Sequence, residues 1–196
     1  TISLYAFQHC DSLEDILLPN SLLYVGGAAF YDCPSVKQLN IGTELIYMAE
    51  DAFVLANNLQ RISYNARNCH TEYLGNFDYP RNIGFSSDAY CRLDIGDSVR
   101  IIPENLFFRD NGLRGKVIIP SSVKYIAQSA FYRTGIDTLV FSMGLDSIGE
   151  SAFQDCNNIS VPIVLPASLK RVGPDAFYGN YSYSSPIVLP DGIEYI

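Results

Sequence analysis

Five cysteines and two histidines are the residues here whose types could support redox, metal or nucleophilic chemistry. Their spacing supports none of it well. No Cys-x-x-Cys pair occurs, and His9 and His70 sit in unrelated registers, so a four-ligand zinc site has no framework. Cys69-His70 offers a thiol beside an imidazole, but adjacent residues of an extended chain point apart and no third group orients the base. A Gly-x-Ser-x-Gly elbow, a phosphate-cradling glycine loop and a paired-histidine helix are all missing. The carboxylates are scattered as turn and cap residues, with no pair singled out for acid–base work. The expectation is a non-enzyme with no catalytic residue, no metal ligand and no cofactor.

Cys10, Cys33 and Cys156 share one register, each three residues after a phenylalanine, which marks a small core position. A Cys10–Cys33 bridge between neighbouring repeats, or a Cys69–Cys91 bridge clipping an irregular one, is open wherever the Cα atoms approach within about 7 Å. Cysteine usage therefore leaves the redox compartment undecided.

The element that must carry these residues is a repeat. Ala6-Phe7 recurs as Ala29-Phe30, Ala52-Phe53, Leu106-Phe107, Ala130-Phe131, Ala152-Phe153 and Ala176-Phe177, with Gly84-Phe85 as a degraded copy. Successive phenylalanines lie 23, 23, 32, 22, 24, 22 and 24 residues apart. Five residues before each stands an apolar side chain (Ile2, Val25, Met48, Ile102, Ile126, Ile148, Val172), and only Pro80 breaks that column. Some ten to twelve residues after each phenylalanine comes an apolar-x-apolar pair closed by Pro or Gly, as in Ile16-Leu17-Leu18-Pro19 and Val117-Ile118-Ile119-Pro120. Alternation ended by a breaker predicts a short strand. Apolar spacings of three to five around Ala-Phe, behind Asp51, Ser129, Ser151 and Asp175 as caps, predict one helical or 3₁₀ turn. A unit this short cannot bury its own faces, so copies must stack, with parallel strands about 4.8 Å apart and right-handed crossovers.

The string Leu13-x-x-Ile16-x-Leu18-Pro19-x-Ser21-Leu22-x-x-Val25-Gly26-x-x-Ala29-Phe30-x-x-Cys33 resembles the leucine-rich repeat of the BspA-like class, over nearly the whole chain. The expected fold is an α/β repeat: a right-handed leucine-rich-repeat solenoid of short parallel strands and short helical or 3₁₀ turns. About eight repeats of 22–24 residues are expected, one of them extended to 32. Residues 1–196 form one solenoid domain in this reading, a segment of a longer array, with the irregular repeat at about 54–85. Pro80, Gly84 and Pro103, where Gly is usual, depart from the pattern and are expected to distort their repeats. The resemblance implies a secreted or cell-surface microbial protein that works by adhesion, without catalysis.

Charge and hydropathy narrow the partners. A net charge of -8 disfavours nucleic acid and anionic lipid. No apolar run approaches the roughly 20 residues that cross a bilayer, so no membrane insertion is expected in this segment. The outward column of the strands reads Leu17, Asn40, Ser63, Asp94, Ile118, Val140, Val164 and Val188, ending in a β-branched apolar stripe. One column over, Arg61, Arg92 and Lys116 form a basic track suited to acidic protein segments or sulfated glycans. The candidate binding residues are thus Ile118, Val140, Val164, Val188, Arg61, Arg92 and Lys116. The expected function is a non-enzymatic module that presents a rigid sheet face to an extracellular protein, with a host matrix protein or a glycan as the candidate partner, at an extracellular or cell-surface location. The alternative is a structural spacer or self-assembling repeat array.

Overall fold

The computed structural model describes residues 1–49, 51–72 and 90–196; Pro80 and the Gly84-Phe85 copy lie outside them. Its strands are β1 (Asp15–Leu17), β2 (Tyr24–Val25), β3 (Gln38–Ile41), β4 (Tyr47–Ala49), β5 (Arg61–Tyr64), β6 (His70–Glu72) and β7 (Arg92–Ile95). The C-terminal part adds β8 (Ile101–Ile102), β9 (Arg114–Ile119), β10 (Tyr125–Ile126), β11 (Gly135–Phe141), β12 (Ser147–Ile148) and β13 (Arg171–Val172). Among the described residues, six turns of the chain lay one strand on a first face and one on a second, a seventh adds β13 to the second face alone, and all pairs are parallel. On the first face β1, β3, β5 and β7 pair in that order, as do β9 and β11. On the second face the groups are β2-β4-β6 and β8-β10-β12-β13.

Six turns carry a first-face strand among the described residues, where the repeat count predicts about eight. At Ile163–Leu165 and Ile187–Leu189 the ladder shrinks to one bridge, Val164↔Val188. Pro162 and Pro186 open those two segments, and proline has no N–H to give a ladder.

The phenylalanines form the pillar. Phe7, Phe30 and Phe53 stack face to face at 5.1 and 5.2 Å, and Phe107, Phe131, Phe153 and Phe177 stack at 5.2, 5.1 and 5.5 Å. Among the described residues these are two stacks, one on each side of the irregular repeat. There the buried Tyr64 ring meets Phe107 edge-on at 6.5 Å. Pro103 leaves its turn regular, since Ile102 still accepts a hydrogen bond from Ala127 N at 2.9 Å.

The Ala-Phe segments are not helical. Among the described residues there is neither α nor 3₁₀ helix. Instead the residues two before and two after a phenylalanine take positive φ: Ser129 and Arg133 around Phe131 (54° and 55°), Ser151 and Asp155 around Phe153 (53° and 57°). Alternating handedness flattens the turn and aims alternate N–H groups along the solenoid axis rather than into a helical ladder. Hence Phe7 N donates to Ala29 O (2.8 Å), Phe131 N to Ala152 O (2.8 Å) and Phe153 N to Ala176 O (2.8 Å). Ser129, Ser151 and Asp175, which look like helix caps in sequence, are the left-handed residues themselves. Alanine precedes phenylalanine because its carbonyl must meet the turn before it with almost no side-chain room; Ala29, Ala52, Ala130 and Ala152 are fully buried.

Candidate functional site

The first face organises the candidate residues. β5 and β7 pair Arg61 with Arg92 and Ser63 with Asp94. Asp94 sits between the two guanidinium groups: Arg61 donates from Nε to Oδ2 at 2.9 Å, and Arg92 from Nε to Oδ1 at 2.9 Å. Their Nη2 atoms reach the same oxygens, each at 2.9 Å. Asp94 comes from the outward column, so the two columns, separate in sequence, close into one ion cluster.

Lys116 lies apart from this cluster. β7 and β9 do not pair; the residues just before them, Cys91 and Leu113, form a single bridge, and Gly115 at φ 83° redirects β9 beyond it. The face opens there into a cleft of about 550 Å³ lined by Tyr90, Arg92, Asp94, Arg114, Lys116 and Ile118, among others. Beyond the cleft, Lys116 aligns with Thr138 and Ile118 with Val140. Ile118 and Val140 are 48% and 37% exposed. Val164 and Val188, at 73% and 71%, form the bridged pair nearer the C-terminus.

The chemistry-bearing residues fall elsewhere. All five cysteines are free. Cys33 and Cys156 are fully buried, and each thiol donates to the phenylalanine carbonyl one turn back: Cys33 Sγ to Phe7 O at 3.2 Å, Cys156 Sγ to Phe131 O at 3.0 Å. Asn180 fills the same register and donates from Nδ2 to Phe153 O at 3.1 Å. Compact side chains fill that register, and in Cys33, Cys156 and Asn180 they also donate; Ala56 fills it without a donor. Burial pushes the Cys156 thiol up to about 11 and the Cys69 thiol up to about 12, while the hydrogen bond with Thr134 acts the other way on Cys156 and the nearby Tyr64 hydroxyl does so on Cys69. Cys69 is buried and His70 exposed, on opposite sides of the chain. Among the described residues no group of three or more His, Cys, Asp or Glu side chains could hold a metal ion.

Two features escape a reading of the strand columns. Tyr24 and Tyr47, in register on the second face, stack at 4.5 Å with planes 8° apart. Their signal is a tyrosine directly before the apolar residue that precedes each phenylalanine by five. At the corner between the faces, Arg67, Arg100 and Lys124 lie on three successive turns: Arg100 N donates to Arg67 O at 2.9 Å and Lys124 N to Arg100 O at 2.8 Å.

The family model for the BspA type leucine rich repeat region matches residues 1–79 and 81–196 in six copies. No curated protein matches the chain. Among solved structures, the leucine rich repeat protein of T. pallidum (TpLRR) is 21% identical with a TM-score of 0.50, over 94% of this chain and 71% of that one. A leucine rich cell surface protein of Faecalibacterium prausnitzii is 20% identical with a TM-score of 0.50, over 94% of this chain and 41% of that one. The pneumococcal vaccine antigen PcpA is 23% identical with a TM-score of 0.49, over 93% of this chain and 46% of that one. The chain thus spans less than half the length of two of these three structures.

Proposed function

The chain belongs to the BspA-type leucine-rich repeat family, and from that premise we propose that it is a non-enzymatic binding module which presents its first face to an extracellular protein at the microbial cell surface. The observation that carries the proposal is the outward column itself. Ile118 and Val140 expose β-branched apolar side chains from the β9–β11 ladder, and Val164 and Val188 expose theirs from a single bridge. Such side chains have few rotamers to lose, and the backbone beneath them is already ordered, so a partner meets a surface that costs little to fix. The cell-surface location is part of the same proposal; the F. prausnitzii neighbour is described as a cell surface protein.

The test uses the double variant Val140→Asp/Val164→Asp. Both side chains point outward, so the melting temperature should stay within about 4 °C of the parent, as expected for surface changes in a chain of this size. Against a panel of immobilised extracellular matrix proteins, the parent should bind at least one and the variant should lose that binding by about tenfold or more. Equal binding by parent and variant, or no binding by either, would refute the proposal and favour a spacer.

A further inference from the structure

The corner column of Arg67, Arg100 and Lys124 surrounds a pocket of about 380 Å³, completed by Asp97, Ser98 and Ser122. No apolar side chain lines it. Three cations in register on neighbouring turns repel one another, an arrangement that costs stability when nothing lies between them. Three carboxylates stand near these cations: Asp97 in the pocket, Glu44 at 3.6 Å from Arg67 Nη2, and Asp146 in the same column one turn beyond Lys124.

The donors and acceptors of the pocket are only partly used. Lys124 Nζ donates to Gly144 O at 2.9 Å and keeps two further N–H groups. The Ser98 hydroxyl donates to Asn65 O at 2.6 Å and retains its lone pairs. The Ser122 hydroxyl is shielded from solvent and has no partner among the described residues. The cleft on the first face, with Arg92, Asp94, Arg114 and Lys116, shares Asp97 with this pocket.

We propose that the Arg67–Arg100–Lys124 corner is a binding site for a sulfated glycan. Guanidinium and ammonium groups supply charge-assisted hydrogen bonds to sulfate, and the lone pairs of the Ser98 hydroxyl can accept from a sugar hydroxyl. An acidic peptide shares the anionic groups but brings no ring of hydroxyls for Ser98 to meet, so polyglutamate is the discriminating comparison. The site is separate from the outward column and does not rest on the protein-binding proposal.

The test measures binding of a heparin octasaccharide to the chain at physiological ionic strength. Arg100→Gln/Lys124→Gln should weaken it by about tenfold or more, and Lys170→Gln/Arg171→Gln, on a later turn, by less than about twofold. Removing the sulfate groups from the octasaccharide should abolish binding to the parent. In the unmodified protein, saturating octasaccharide should protect Lys124 from amine acylation, read by mass spectrometry, while Lys37 and Lys170 react as before; this readout needs no variant to fold. Unchanged affinity in the first variant, acylation of Lys124 at its free rate, or equal binding of a polyglutamate of matched charge would overturn the proposal.

Discussion

Phe131→Ala tests whether the aromatic pillar carries the fold. Phe131 is fully buried and stacked on both sides, at 5.2 Å from Phe107 and 5.1 Å from Phe153. Truncating a packed phenylalanine costs roughly 3–5 kcal/mol, and each aromatic contact adds about 0.5–1.5 kcal/mol beyond area burial. The two stacks place Phe131 near the top of that range, about 5 kcal/mol. Phe7 is the built-in control, 44% exposed with one stacked neighbour at 5.1 Å. With about half the burial and one contact, Phe7→Ala should cost roughly 2 kcal/mol. In a domain of this size 1 kcal/mol moves the melting temperature by about 2–4 °C, so the expected drops are about 10–20 °C and about 4–8 °C. Circular dichroism on melting, with urea titration for the free energies, measures both. Phe30→Ala combined with Phe131→Ala should be additive within about 0.5 kcal/mol, because the two rings stand in separate stacks. Equal costs at Phe7 and Phe131, or strong coupling between Phe30 and Phe131, would refute the pillar.

Thiol accessibility gives a second test: at pH 8 an alkylating reagent should modify Cys10 rapidly, while Cys33, Cys69, Cys91 and Cys156 react only after denaturation, as counted by mass spectrometry. The same burial fixes a pH dependence. The Cys69 thiol is raised from its ordinary 9.0 to about 12, so above pH 9 the unfolded chain gives up this proton more readily than the folded one. This contribution to stability is therefore full below pH 9 and lost progressively between 9 and about 12; Cys69→Ala should flatten the fall in melting temperature over that window. Gly144→Ala should destabilise by about 2 kcal/mol or more on urea titration. Gly144 holds φ at 122°, and an added Cβ would run into Ser121 O.

The stacked phenylalanines, the inward strand positions and the exposed Val164 and Val188 follow from spacing, because alternation and period are carried by side-chain type. The sign of φ is not. Ser129 and Ser151 occupy positions where a helix cap and a left-handed residue call for similar short polar side chains, and apolar spacings of three to five suit either geometry. The Arg61–Asp94–Arg92 cluster joins two columns that sequence treats as independent. The break before β9 depends on one glycine conformation at Gly115. Arg67, Arg100 and Lys124 stand 33 and 24 residues apart, since the irregular repeat intervenes, so their alignment emerges only from backbone pairing.

The interruptions of the two faces do not coincide. The first face parts between β7 and β9, whereas the second parts between β6 and β8, so the intervening turn stays laddered backward on one side and forward on the other. The arrangement is that of staggered joints in masonry: no cross-section perpendicular to the stacking direction passes through both gaps at once. Under a pull or a bend, the chain can yield on one flank at this turn while the opposite flank holds, so it can act as a pivot rather than a fracture line.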